Sequence, residues 1–180
     1  MANTYTKISS FTYTTASQAQ YMTSFTSIPS TYTDLCIRYS ARSTYTGGNA
    51  DTVYMIFNGD SGSNYNYNIS YYDTSSGSFT GSSGTAMHAG YAPSGSTPIT
   101  YFGVGEIYIY NYATTTTFYK NAKYNYGGTG NASTYQYAIE ALGAGTWSNT
   151  SAISSLRLGI TSGYTFLAGS VFTLYGIKNS

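Results

Sequence analysis

Apolar side chains recur at every second residue along most of this chain, and no segment carries a convincing helical period. Leu35, Ile37, Tyr39 and Ala41 form one side of a run whose other side is Cys36, Arg38, Ser40 and Arg42. Ile107 and Ile109 alternate with Glu106, Tyr108 and Tyr110, and Leu156, Leu158 and Ile160 alternate with Arg157 and Gly159. Near the end, Phe172 and Leu174 share one side, opposite Val171, Thr173, Tyr175 and Ile177. Successive side chains of an extended strand point to opposite faces, so this period of two predicts half-buried β-strands. Val53, Met55 and Phe57 alternate with Tyr54 and Ile56, which predicts a strand buried on both faces. Weaker strand patterns cover residues 4–14, 21–28, 65–71, 117–124 and 134–142.

Turn chemistry separates these runs. Asn58-Gly59-Asp60-Ser61-Gly62 predicts a hairpin turn with residues at positive φ, and Gly47-Gly48-Asn49 is of the same kind. The closing strand starts from the Gly169-Ser170 turn and is expected to stop at Gly176. The longest weakly patterned stretch, about 73–100, reads as a loop-rich insertion. Many short strands, spaced turns and no helix predict an all-β fold, an antiparallel β-sandwich, with a jelly roll as the preferred topology. At 180 residues, 1–180 is expected to be a single β-sandwich domain.

Charge excludes several functions. Charged residues are 7% of the chain and the net charge is +1, against roughly 25% charged in ordinary soluble domains. Lys and Arg are too few to form a nucleic-acid footprint or a polybasic membrane segment. No apolar run is long enough for a transmembrane helix, and the start of the chain lacks the pattern of a secretory signal. Neither a membrane nor a nucleic acid is expected as a partner, and synthesis is expected in a cytoplasm.

The residues that carry chemistry are sparse. There is one His, His88, and one Cys, Cys36, which reads as a buried structural thiol. Neither a zinc site nor a Cys–His nucleophile is signalled by one of each, far apart. The six carboxylates are scattered. Asp51 and Asp60 flank one strand and lie roughly 25–30 Å apart along an extended chain, too far for a glycosidase-like pair. Asp60-Ser-Gly-Ser-Asn64 has too few ligands for a calcium loop and reads as a hydrogen-bonded turn. The expectation is a protein that is not an enzyme, with no catalytic residues, no metal and no cofactor.

What the chain has in excess is tyrosine: 23 Tyr beside 20 Gly. Tyr65, Tyr67, Tyr71 and Tyr72 cluster after the Asn58–Asp60 turn, and Tyr108, Tyr110 and Tyr112 lie at two-residue spacing. If Ile107 and Ile109 face the core, that second set faces outward. These seven are the candidate contact-surface residues. An outward tyrosine stripe suits a stiffening cross-strand ladder, a protein–protein contact, or a platform for stacking sugars.

The last strand, Ala168-Gly-Ser-Val-Phe-Thr-Leu-Tyr-Gly-Ile177, resembles the C-terminal A-G-S-x-F-T-L-Y-G-I signature of small bacteriophage virion structural proteins. Ile28-Pro-Ser-Thr-Tyr-Thr-Asp-Leu35 with Arg38-Tyr-Ser-Ala-Arg42, Phe57-Asn-Gly-Asp60 with Tyr65, and Trp147 before Ile153 resemble the same family, in the same order. The resemblance implies a structural role on a phage particle, and so a virion protein made in the host cytoplasm. The first expectation is a capsid decoration protein that binds the assembled shell through uncharged, Tyr-rich surfaces. Its partners would be the major capsid protein or other virion proteins, and a homotrimer would suit the lattice. The alternative is a tail-fibre or tail-tip receptor-binding module that recognises a host glycan. Residues 75–101 match nothing in that family.

Overall fold

The computed structural model describes residues 4–14, 23–72, 77–95, 101–132, 135–161 and 163–178. Twelve strands and no helix are present among them. They are β1 (Thr4–Thr12), β2 (Thr23–Phe25), β3 (Asp34–Ala41), β4 (Ala50–Phe57), β5 (Tyr65–Tyr72), β6 (Gly77–Gly84), β7 (Met87–Pro93), β8 (Gly103–Tyr110), β9 (Lys120–Ala132), β10 (Tyr135–Trp147), β11 (Leu156–Gly159) and β12 (Val171–Lys178). All pairings are antiparallel and form two sheets. The large sheet runs β1-β12-β3-β8-β9-β10-β5-β6 and the small one β2-β11-β4-β7. The two pack face to face as a β-sandwich, as the alternation predicts.

Two hairpins account for the unequal sheets. β5–β6 is inserted between β4 and β7, and β9–β10 between β8 and β11. Both extend the large sheet beyond β8. Without them the sheets read β1-β12-β3-β8 and β2-β11-β4-β7. The small sheet ends at β7, which packs over β8, β9 and β10 and reaches β5 at the margin. β6 overhangs beyond it and is exposed along nearly its whole length.

The core between the sheets follows the alternation. Leu35, Ile37, Tyr39 and Ala41 of β3, Ile107 and Ile109 of β8, and Phe172 and Leu174 of β12 all face inward, against Val53, Met55 and Phe57 of β4 and Leu156 and Leu158 of β11. Phe172 sits among Tyr13, Tyr39 and Phe166, with ring centroids 6.2, 5.4 and 4.8 Å away. Trp147, at the end of β10, packs against Phe57 and Tyr65. Its indole N–H donates to Asp60 Oδ2 at 2.7 Å.

Glycine and tyrosine are used together inside this core. Tyr39 faces Gly105 across β3–β8, and Tyr124 faces Gly143 across β9–β10. A Cβ on either glycine would collide with the ring that lies over it. Tyr126 covers Gly103 and Gly128 in the same way. An aromatic ring laid on a neighbouring glycine shields backbone that would otherwise be bare. Much of the tyrosine excess is therefore internal packing.

Four expectations are corrected. The Asn58–Gly62 turn does have positive φ, at Asn58 (50°) and Gly59 (70°), with Asp60 N–H donating to Phe57 O at 2.9 Å. It joins β4 of the small sheet to β5 of the large one, so it is a crossover and not a hairpin. The 73–100 stretch is not a loop-rich insertion: β6 and β7 both lie in it, while 73–76 and 96–100 are outside the described residues. β6 was illegible because it is Gly, Ser and Thr with a single Phe, which carry no apolar alternation. β4 is buried on one face only, with Tyr54 and Ile56 half-covered, because nothing packs fully over the back of the small sheet. β12 does not stop at Gly176 but runs on to Lys178, since Gly176 pairs with Leu35 and the Tyr32 ring covers its bare Cα.

Candidate functional site

The outer face of the large sheet is the most distinctive surface of the molecule. Six of the eight large apolar side chains exposed among the described residues lie on it: Tyr5, Tyr72, Phe79, Val104, Tyr110 and Leu142. The antiparallel register sets them in rows. One row crosses Thr173, Arg38, Glu106, Asn125, Leu142, Ser70 and Phe79. The next crosses Tyr175, Cys36, Tyr108, Lys123, Ala144, Asn68 and Gly81. Carboxamides alternate with hydroxyls beside them, from Asn121 through Thr146 to Asn66.

Two of the charges on this face form an ion pair. Arg38 Nε donates to Glu106 Oε2 at 2.8 Å, and both ends are solvent-exposed, so the pair is worth about 0–1 kcal/mol. The Arg38 guanidinium also lies 4.9 Å from the Tyr5 ring centre and 5.8 Å from that of Tyr175. The Lys123 ammonium sits 5.7 and 5.8 Å from the Tyr108 and Tyr110 rings, which are themselves 4.5 Å apart. Tyr108 donates its hydroxyl to Asp34 Oδ2 at 2.8 Å. Partial burial and that carboxylate push its pKa well above the usual tyrosine range. Cys36 is buried between Tyr175 and Tyr108 in register. Desolvation and then Glu106 push its thiol up to about 12, so it is inert near neutrality. A shallow depression lies between Arg38, Val104, Asn125 and Glu140, with Gly127 on its floor. A Cβ on Gly127 would meet open space.

The seven candidate tyrosines divide three ways. Tyr72, Tyr108 and Tyr110 are on this outer face. Tyr67 and Tyr71 point to the opposite side of β5, because 65, 67, 69 and 71 share the inward parity and 72 does not. Tyr65 and Tyr112 are fully buried and are not surface residues. Tyr65 donates its hydroxyl to Asp60 O and accepts from Phe57 N–H, both at 3.0 Å, which fastens the β4–β5 crossover. Tyr112 leaves the 108/110 stripe because Asn111, at φ 47°, turns the chain inward after β8. Its hydroxyl donates to Pro29 O. The residues missed by sequence reasoning are Phe79, Val104 and Leu142. Each belongs to a strand read correctly or overlooked, but only the register across five strands assembles them on one face.

The Asp60 carboxylate, weighed as a calcium ligand, is taken up by protein donors. Oδ1 accepts from Gly62 N–H at 2.9 Å, and Oδ2 accepts from Asn64 Nδ2 at 2.9 Å and from Trp147. Those donors, Trp147 first, hold its pKa below the ordinary aspartate value. Among the described residues no three of His, Cys, Asp and Glu come together.

Fold and face together define an all-β protein with a broad aromatic and carboxamide sheet surface. No family model, curated protein or solved structure matches the chain.

Proposed function

We propose that this chain is a non-enzymatic bacteriophage virion structural protein, a jelly roll that decorates the assembled capsid by laying the outer face of its large sheet on the shell. The strand order supports the jelly-roll reading: with the two inserted hairpins set aside, eight strands remain in two four-stranded antiparallel sheets, an architecture common in viral capsid proteins. The resemblance of residues 168–177 to phage virion proteins supports the setting.

The observation that carries the proposal is the concentration of exposed apolar side chains on one face. Exposed large apolar side chains gathered on one face among polar groups favour an interaction surface. Val104 and Leu142 supply aliphatic contact, Tyr72, Tyr110 and Phe79 broad rings, and the asparagines directional hydrogen bonds. A protein that binds the lattice and not its separated subunits stabilises the lattice by mass action. With few charges on the face, such a contact is weakly sensitive to salt.

The test is to add purified protein to bare shells. Saturation should track the number of capsid subunits and survive moderate salt. The double variant Val104→Asp, Leu142→Asp alters only exposed positions and should abolish attachment without lowering thermal stability. A few copies per particle, all at the tail, would instead support the receptor-binding alternative.

A further inference from the structure

On the other side of the large sheet, where the β5–β6 hairpin overhangs β7, lies a second and different site. We propose that the cleft between this overhang and the β7 edge, walled by Tyr54, Tyr67, Tyr71 and Tyr91 over His88, binds a neutral saccharide unit. This goes beyond shell attachment and is independent of it. The walls on β5 and β6 have the parity opposite to the proposed docking face, so a copy seated on a shell would turn this cleft toward solvent.

Three observations carry the inference. The first is the aromatic lining. His88 lies 4.7 Å from Tyr91, 5.8 Å from Tyr67 and 6.4 Å from Tyr54 by ring centres, and Tyr71 meets Tyr91 at 5.5 Å edge to face. The second is the hydroxyl part of the lining: Ser82 and Ser78 of β6 stand beside Tyr67 and Tyr71 across the β5–β6 pairing with Thr80 between them, and Thr52 of β4 stands beside Tyr91. No Asp, Glu, Lys or Arg lines the cleft. Its volume of about 290 Å³ is at the small end of ligand pockets, room for one sugar ring.

The third is an unmet hydrogen-bond donor. His88 is 4% exposed, and its Nε2 has no partner. Gly90 N–H donates to Nδ1 at 3.3 Å, so in the neutral ring the proton is on Nε2. Buried polar atoms are ordinarily satisfied, so an orphan donor on a residue that lines the cleft calls for an explanation.

The chemistry selects the ligand class. Tyrosine faces stack on the C–H faces of a pyranose, and serine, threonine and tyrosine hydroxyls exchange hydrogen bonds with its hydroxyls. A quaternary ammonium is the other usual occupant of an aromatic cage. Here a donor N–H on the floor and the lack of any carboxylate oppose a cation. An anion is opposed by the lack of Lys and Arg.

The experiment titrates the intact protein with glucose, galactose, mannose and N-acetylglucosamine, and separately with choline, following the imidazole resonances of the single histidine. At least one sugar should shift them at millimolar concentration, and choline should not. Thr80→Trp, on an exposed strand, fills the cleft and should weaken that sugar roughly tenfold or more, about 1.4 kcal/mol or more, while shell attachment and the melting temperature are kept. The proposal is overturned if no sugar moves the His88 signals, if choline does so instead, or if Thr80→Trp leaves sugar binding unchanged.

Discussion

Acidification should destabilise this protein through one residue, and the size of the loss follows from where that residue lies. His88 is the chain's only histidine. Its neighbours are the rings of Tyr54, Tyr67, Tyr91 and Tyr124, with no carboxylate to favour the imidazolium. Burial lowers its pKa from 6.5 to about 3. The unfolded chain therefore binds a proton as pH falls through about 6.5, and the folded chain does not until about pH 3. Stability is full above the unfolded value and declines as pH falls below it. At pH 4.5 an unfolded histidine is about 99% protonated, and RT ln of that roughly hundredfold excess is ~2.7 kcal/mol. The figure hardly depends on the folded pKa, provided it lies below about 4. Against a typical 5–15 kcal/mol total, the loss is large. Urea unfolding between pH 7.5 and 4.5 should show the midpoint fall by ~1–2 M. The control is His88→Phe, which removes the titrating group and keeps a ring in the aromatic cluster. Its stability should be nearly flat over the same range, since free carboxylates titrate lower. A wild-type midpoint that does not move, or an equal fall in the variant, would refute the reasoning.

Three further outcomes follow from the packing. Gly143→Ala should cost ~1–3 kcal/mol, because the added methyl drives into the Tyr124 ring, whereas Gly127→Ala, which meets open space, should change stability by less than ~0.5 kcal/mol; urea unfolding of both separates steric from conformational effects. Gly59→Val should cost roughly 2 kcal/mol or more by the same measurement, since Gly59 holds φ 70° with ample room around it and the penalty is one of backbone handedness. Phe172→Ala should cost ~3–5 kcal/mol, because the ring is fully buried among Tyr13, Tyr39 and Phe166; a small shift in the thermal transition would contradict the central place of β12.

The sequence by itself determined what depends on neighbours along the chain. A period of two is a local property of an extended backbone, so β3, β8, β11 and β12 and their inward residues were legible as they stand. So was the positive-φ turn at Asn58-Gly59, because an Asn-Gly pair relieves the steric cost of that conformation wherever it occurs. Tertiary structure decided everything that depends on which strand lies beside which. Strand order is set by pairing between residues as far apart as Thr4 and Lys178, and alternation within a strand carries no record of its partner. The same holds for the surface: Leu142 and Phe79 come into one row with Arg38 only through the register of five successive pairings. Tyr65 and Tyr112 show the converse. Clustering placed Tyr65, and two-residue spacing placed Tyr112, among the contact-surface candidates, but a crossover and one left-handed residue turned them into the core, where their hydroxyls tie loop carbonyls. The tyrosine–glycine excess was plain in the composition. Its meaning was not, because a ring lies over a glycine only once the strands that carry them are side by side.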